Sequence, residues 1–146
     1  MKDKLILFGW IIGLLLITSV ILFLSQSALT SNLMRSVNNI FFNNNDPRRL
    51  SAYLPTKTGK TEIFGYWYKM YNTEDKMFVF TTFQDGILVP LGAIVSTNGN
   101  VDEVFPLSAH AEQIFEAMPK SVLQMYIYRI QDAAYINFSA SGGTRR

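Results

Sequence analysis

The sequence predicts an α+β fold in which an N-terminal transmembrane helix is followed by a small, mostly antiparallel sheet with one packed helix. Three observations predict it: an uncharged apolar stretch, alternating aromatic-rich segments in the second half, and one short amphipathic stretch. A chain of 146 residues leaves room for one domain besides the apolar helix. We therefore expect an anchor at 1–25, a stalk or linker at 26–60, an α+β domain at 61–141 and a disordered tail at 142–146.

The apolar stretch runs from Leu5 to Leu24 and contains Trp10 and Gly13. Twenty helical residues rise about 30 Å, which matches the hydrocarbon core of a bilayer, so these residues are predicted to span a membrane. The alternative is a cleaved secretory signal, but signal peptides have apolar cores of roughly 7 to 15 residues. Gly9 and Gly13 form a small-residue stripe of the kind that supports helix pairing.

The flanking charges predict the orientation of this helix. Lys2 and Lys4 precede the span, whereas the next basic residue is Arg35. Because basic residues favour the cytoplasmic side, the N-terminus is expected in the cytoplasm and the C-terminal domain in the periplasm or another extracytoplasmic space. This predicts a single-pass protein of a bacterial cytoplasmic membrane.

The segment after the span is polar and rich in asparagine. Leu29, Leu33, Val37 and Ile40 are spaced as on one helical face, so the helix is expected to continue for a few turns and to end within residues 43–47. The whole segment, residues 26–60, is interpreted as a stalk.

Three strands are predicted at Glu62–Tyr71, Lys76–Phe83 and Ile87–Val95. Asp85-Gly86 favours a two-residue hairpin between the second and third of them. Pro90 cannot donate a ladder hydrogen bond, so the third strand is expected at a sheet edge or broken at that residue. The first strand carries apolar side chains on both faces, which indicates that both faces are at least partly covered.

The last part of the chain is predicted to contain one helix and a β-hairpin. Ala111, Ile114, Phe115 and Met118 recur at helical spacing after Ser108 and before a proline, so a short helix is expected to lie across the sheet. Alternating residues then predict two paired strands, at 122–130 and 134–139.

Three pieces of the chain resemble the GerM-type (GerMN-like) domain of bacterial sporulation and germination proteins. They are Phe83–Pro90, Ala111–Pro119 and Asp132–Ser139, within a match over roughly residues 76–141. The resemblance implies an α+β domain at the outer face of a bacterial membrane, in proteins associated with envelope remodelling, that acts as a binding or assembly module without a known active site. This chain departs from the family in having one copy and no lipid anchor.

The composition argues against several classes of site. Without cysteine, the single histidine, His110, lacks partners for a metal site, and no metal or cofactor is predicted. Thr56–Thr61 ends like a phosphate-binding loop, but Leu54 replaces the required first glycine. The nearly neutral charge beyond the span argues against nucleic-acid binding.

Neighbouring carboxylates are candidates for glycan hydrolysis. Two such pairs are Asp102-Glu103 and Glu74-Asp75. Neighbours on a strand point to opposite sides and cannot act together on one bond, and both pairs lie in predicted turns, so they are interpreted as solvated charges. A non-enzymatic role is therefore favoured over hydrolysis of cell-wall glycan.

Aromatic side chains are the remaining functional candidates, with core packing as the default alternative for them. We expect the protein to be a membrane-anchored scaffold or adaptor of a cell-envelope assembly that binds a protein partner or forms a homo-oligomer. The alternatives are a cell-wall glycan binder or hydrolase and a ligand-sensing module. The candidate partner-binding residues are Tyr66, Trp67, Tyr68, Tyr126 and Tyr128.

Overall fold

The computed structural model describes residues 2–56 and 63–138, with side chains from residue 8 onward. One long helix leads into a five-stranded sheet that is followed by two helices, which confirms the predicted α+β arrangement. The elements are α1 (Lys2–Asn43), β1 (Leu50–Leu54), β2 (Gly65–Met70), β3 (Lys76–Gln84), β4 (Ile87–Val95), β5 (Val101–Pro106), α2 (Ala109–Glu116) and α3 (Lys120–Phe138).

The sheet is an antiparallel meander in the order β1-β2-β3-β4-β5. The β3–β4 hairpin turns at Asp85 and Gly86, which have φ angles of 50° and 82°. Two positive φ angles are what a two-residue hairpin turn requires, so the Asp-Gly prediction is confirmed. The β2–β3 and β4–β5 turns contain Asn72 and Gly99, whose φ angles are also positive.

Both faces of the sheet are covered, as the composition of β2 predicts. On one face α2 and α3 enclose an aromatic core that includes Trp67, Phe78 and Phe80. The opposite face packs against the second half of α1, and the buried residues there are Val37, Phe41, Leu50, Tyr68, Met70, Met77, Val79, Ile94 and Leu107. The sheet therefore lies between α1 and the α2–α3 pair.

The sheet coils around the end of α1. Arg48 lies two residues before β1, and its guanidinium reaches the carboxylate of Glu103 in β5 at 2.6 Å. In a flat sheet, four strand intervals would hold these edge strands about 19 Å apart. The ion pair thus requires strong curvature, which adds to the ordinary twist of a sheet.

Helix α1 is also joined to β1 through Asn38. Its side-chain amide donates to the Leu50 carbonyl at 3.1 Å, and its oxygen accepts from the Leu50 N–H at 2.7 Å. The carboxamide therefore satisfies both backbone groups of Leu50, in the way that a neighbouring strand would.

We expect Asn38→Ala to destabilise the fold by about 1 to 3 kcal/mol, because both backbone groups of Leu50 lose their partner. Asn39→Ala, at an exposed neighbouring position, serves as the matched control. Urea unfolding of the detergent-solubilised protein measures the difference. Equal stability of the two variants would contradict this role for Asn38.

The predicted C-terminal hairpin is wrong, because residues 120–138 form the single helix α3. The apolar residues here are frequent enough to match both the two-residue repeat of a strand and the 3.6-residue repeat of a helix. In the structure the buried and half-buried residues recur every three or four positions, as on one face of a helix. Gln131 and Asp132, which lie between the two predicted strands, are part of the helix, and neither glycine nor proline interrupts it there. Ser139 lies outside the described residues.

Two strands, β1 and β5, were not predicted from the sequence, and the predicted place of β4 at a sheet edge is wrong. β5 contains Asp102 and Glu103, which the sequence assigned to a turn, and β1 lies within the predicted stalk. β4 is unbroken at Pro90 and lies between β3 and β5. Because the Pro90 carbonyl accepts from Leu107 N–H, the nitrogen of Pro90 also faces the β5 side, so its missing N–H removes no bond to β3.

Candidate functional site

Helix α1 combines an apolar exposed half with a half that belongs to the domain core. Within the described residues it is the one helix that is long and apolar enough to cross a membrane. The hydroxyls of Thr18 and Ser19 donate to the carbonyls of Leu14 and Leu15, at 2.7 and 2.8 Å. Such internal bonds allow polar side chains to lie within an apolar helix. The predicted spanning residues all lie in α1, although the side chain of Leu5 is outside the described set.

The predicted continuation of this helix to residue 43 is confirmed. Val37 and Phe41 are almost completely buried against the sheet, so part of the segment interpreted as a stalk is packed in the core. No loop separates the apolar half from the packed half. The domain is therefore continuous with the apolar half of α1.

The five aromatic residues predicted to bind a partner do not form one surface. Trp67 and Tyr68 are neighbours in β2, so they point to opposite faces, and both are buried. Tyr66 is half-buried on the α1 side, and Tyr126 is half-buried on the side of α2 and α3. Tyr128 is 74% exposed on the outer face of α3. Only Tyr128 is fully presented to a binding partner.

Tyr68 has a structural role within the α1 side of the core. Its hydroxyl donates to the Thr30 carbonyl at 3.0 Å, and its ring stands edge-on to Tyr53. Burial, with smaller contributions from Tyr53 and Tyr66, raises the pKa of Tyr68 to about 12. The hydroxyl therefore stays protonated and continues to donate at physiological pH.

A cleft of about 430 Å³ lies where α1 ends, between its last turn, β5 and the start of α2. Arg48 lines the cleft and pairs with the carboxylates of Asp46 and Glu103. The guanidinium carbon also lies 5.3 Å from the Phe41 ring centre and 5.4 Å from that of Phe105. These contacts hold Arg48 between two carboxylates and two rings, so both acids are already engaged.

The ion pair shifts the pKa values of its members. The hydrogen bond from Arg48 lowers the pKa of Asp46, against a smaller opposing effect of burial. The bond to Asp46 in turn raises the pKa of Arg48. A carboxyl group whose pKa is lowered by folding stabilises the folded state above its unfolded pKa of about 3.9.

This stabilisation should disappear as the pH falls through the lowered folded pKa of Asp46. We expect Asp46→Asn to cost about 1 kcal/mol or less at pH 7, since the pair is partly solvated, and less still at pH 3. Melting temperatures of both proteins between pH 7 and pH 3 measure the difference. A gap between them that widens on acidification would contradict this assignment.

The remaining sequence candidates do not converge on a site. Asp102 and Glu103 lie in β5, while Glu74 and Asp75 lie beside the β2–β3 turn. His110 is exposed in the first turn of α2, and the described residues contain no group of three or more His, Cys, Asp or Glu side chains placed to hold a metal. The phosphate-loop-like segment falls, from residue 57 onward, outside the described residues.

Gly9 and Gly13 lie on one side of α1. No atom lies within 4 Å of where a Cβ at either position would stand, so the groove they form on the helix is open. Helix pairing at this groove stays a prediction.

Two exposed apolar surfaces were not recognised from the sequence. One is the outer face of α3, with Met125, Tyr128 and Ile136. The other lies near the tip of the β3–β4 hairpin, where Phe83 and Leu88 are register partners. The Asp-Gly turn was sufficient to pair Phe83 with Leu88, but only the tertiary structure shows that no neighbouring strand or helix covers them.

The comparisons with known proteins add no relative: no family model, no curated protein and no solved structure matches this chain. The resemblance to the GerM-type domain therefore stays a prediction.

Proposed function

We propose that this protein is a membrane-anchored scaffold or adaptor of a bacterial cell-envelope assembly, which binds a protein partner through the outer face of α3 without catalysis. The observation that carries the proposal is the exposed apolar character of that face. An amphipathic helix at the surface of a lone domain usually presents polar residues to solvent. Here three large apolar side chains, Met125, Tyr128 and Ile136, are exposed beside the polar Gln124 and Asp132.

The chemistry of this face supports a protein as the occupant. Methionine and tyrosine are enriched in protein interfaces, where they combine a large contact area with adaptable or polar ends. Tyr128 lies between Met125 and Ile136 along the helix, so one partner surface contacts all three. Exposed apolar surface of this kind marks interaction sites.

The position of α3 also supports this role. Since α1 and α3 pack on opposite faces of the sheet, the face that binds the partner is turned away from the anchor. The continuous α1 fixes the height of the domain above the bilayer. A partner bound to α3 is thereby held at a defined distance from the membrane.

The proposal of binding without catalysis is supported by the cleft beside Arg48. Its carboxylates at Asp46 and Glu103 are paired with the guanidinium. A glycan hydrolase requires one carboxyl group as a proton donor and a second as a nucleophile or base. Asp46 is poorly suited to donate a proton, because its hydrogen bond from Arg48 lowers its pKa.

The membrane topology is testable because the chain contains no cysteine. The proposed arrangement has Lys2 and Lys4 in the cytoplasm and the domain outside. A cysteine replacing Thr97 should react with a membrane-impermeant maleimide in intact cells, whereas a cysteine replacing Asp3 should react only after the cells are opened. The reverse pattern would refute the orientation.

Partner binding is tested by cross-linking the full-length protein in its native membrane, followed by purification in mild detergent. Tyr128→Ala combined with Met125→Ala should reduce recovery of a defined complex. Tyr71→Ala, which removes an exposed aromatic residue from the β2–β3 turn, is the matched control and should leave recovery unchanged.

Two results would overturn the proposal. One is recovery that responds equally to both substitutions, or to neither. The other is release of soluble fragments from cell-wall glycan by the purified protein. Unchanged melting temperatures for the α3 variants are required, so that a loss of binding is separated from unfolding.

A further inference from the structure

The β3–β4 hairpin extends beyond its neighbours in the sheet. Pairing of β2 with β3 ends at Gly65 and Phe80, and pairing of β4 with β5 ends at Leu91 and Pro106. Residues 81–90 therefore form a two-stranded projection. Its face on the side of α2 and α3 is covered, since Thr82 and Val89 are only 3% and 1% exposed, so the open face is the one on the α1 side.

The projecting hairpin presents large apolar side chains on the α1 side of the sheet. Phe83 and Leu88 are register partners and are 67% and 65% exposed. Phe64, which immediately precedes β2, is on the same face by strand alternation and is 80% exposed. Asp85, in the turn, is the only charged residue among residues 81–90.

Two contacts define how the sheet is oriented relative to α1. Tyr68 bonds Thr30, while Asn38 bonds Leu50, whose register partner is Met70. Along α1, Asn38 lies about 12 Å beyond Thr30. The direction from Tyr68 to Met70 in β2 is therefore the same as the direction from Thr30 to Asn38 in α1. β2 therefore runs away from the apolar half of α1, and its first residues lie on the side of that half.

The same geometry brings the hairpin tip to the level at which the apolar stretch ends. Thr30 lies about 9 Å along the helix beyond Leu24. Tyr68 pairs with Met77, and from Met77 to Gln84 β3 extends about 23 Å back toward the apolar half. If β3 is inclined by about 40° to the axis of α1, as strands are in coiled sheets, its length from Met77 to Gln84 projected onto that axis still exceeds the distance from Thr30 to Leu24.

From these observations, and on the premise of the proposed membrane anchoring, we infer that the β3–β4 hairpin is a second membrane contact. Phe64, Phe83 and Leu88 enter the interfacial layer of the bilayer that α1 spans. Lipid is the occupant that fits, because the patch is continuous in level with the end of the apolar stretch and large apolar side chains anchor proteins at this depth. An inclined hairpin presents its face to the bilayer, which leaves Asp85 among the headgroups.

This second contact would fix the tilt of the domain. A single helix allows a domain to tilt with the helix and to turn about the helix axis. Two contacts on different elements hold one face toward the bilayer, which leaves the outer face of α3 in a constant orientation.

The test uses full-length protein reconstituted into phosphatidylcholine–phosphatidylglycerol vesicles, with one nitroxide label on an introduced cysteine. Leu88→Cys reports the hairpin, Leu22→Cys reports the apolar stretch, and Thr97→Cys reports the opposite end of the sheet. Collision with oxygen, which is enriched in lipid, is compared with collision with a water-soluble nickel chelate. The ratio of the collision rate with oxygen to that with the nickel chelate should be higher for the label at Leu88 than for the label at Thr97. It should approach the ratio measured at Leu22.

The outcomes separate the two proposals. A label at Leu88 that is as aqueous as the one at Thr97, while Leu22 reports lipid, overturns the second contact and leaves the anchor intact. A label at Leu22 that reports water overturns the anchor and the contact together. A label at Leu88 shielded from both reagents indicates a protein surface there and overturns the lipid assignment.

A substitution in the labelled protein provides a second readout. Phe83→Ser should lower the oxygen-to-nickel ratio at Leu88 without changing the melting temperature, because Phe83 lies outside the buried core. Tyr71→Ser, at a similarly exposed aromatic residue beyond the other end of β2, should leave the ratio unchanged. An equal response to both substitutions would overturn the inference.

Discussion

A fragment of residues 61–146, which begins at the domain boundary predicted from the sequence, is expected to be unfolded, whereas a fragment of residues 26–146 is expected to fold. The shorter fragment lacks β1 and the second half of α1. It therefore loses the buried side chains of Val37, Phe41 and Leu50. Each contributes about 1.5 to 3 kcal/mol, and together they approach the whole stability of a small domain.

Far-UV circular dichroism and amide proton dispersion of the two fragments test this expectation. Within the longer fragment, Phe41→Ala should cost about 3 to 5 kcal/mol, while Phe42→Ala, at an exposed neighbour, should cost less than about 0.5 kcal/mol. Cooperative unfolding of the 61–146 fragment would show that α1 is a stalk rather than part of the core.

The second large effect is expected for Phe80→Ala, which should destabilise the domain by about 3 to 5 kcal/mol. Phe80 is 2% exposed, and its ring stacks on Phe78 with centroids 5.4 Å apart. The ring of Tyr126 in α3 also packs against Phe80, with the centroids 5.8 Å apart. Truncation would leave a cavity at the centre of the layer between the sheet and the two C-terminal helices, where the surrounding rings cannot close it.

Phe83→Ala is the matched control, because it removes the same side chain from the same strand at a projecting position. Its expected cost in detergent is less than about 0.5 kcal/mol. Denaturant unfolding of both variants measures the difference. Comparable losses would mean that the hairpin is packed against another element, which would also remove the basis for its contact with lipid.

Local features such as the apolar helix, the tight hairpin and the capped helix were predictable, because each sequence pattern is compatible with only one local structure. An uncharged run of twenty residues favours a helix, Asp-Gly favours a tight hairpin, and Ser108 before helical spacing favours a capped helix. In the structure the Ser108 hydroxyl accepts from the Ala111 N–H, as an N-cap should. Strands β2, β3 and β4 appear close to their predicted positions for the same reason.

The C-terminal part of the chain shows where this reasoning fails. In residues 120–138 the apolar residues are so frequent that alternation and helical spacing both fit. The choice between them depends on what the segment packs against. The sheet offers a broad apolar face to α3, with Ile130, Ala133 and Ala134 buried against it, so the helix is favoured.

The candidate site was harder to predict than the fold. Tyr66, Trp67 and Tyr68 were predicted to bind a partner, but the two layers that cover the sheet bury Trp67 and Tyr68 and half-bury Tyr66. Tyr128 is exposed because α3 is a helix, a feature the sequence analysis had assigned as a strand. Function resides at the surface, and which residues reach the surface is decided by contacts between distant segments.

The apolar helix, its flanking charges, the Asp-Gly hairpin and strands β2 to β4 follow from the order of neighbouring residues, since they depend on local conformational preferences and on the free energy of burying apolar side chains. Long-range contacts determine that α1 continues into the core, that the sheet coils until Arg48 meets Glu103, and that Phe83 and Leu88 stay exposed on the α1 side of the β3–β4 hairpin. Each of these depends on which distant surfaces meet, and local preferences do not encode that choice.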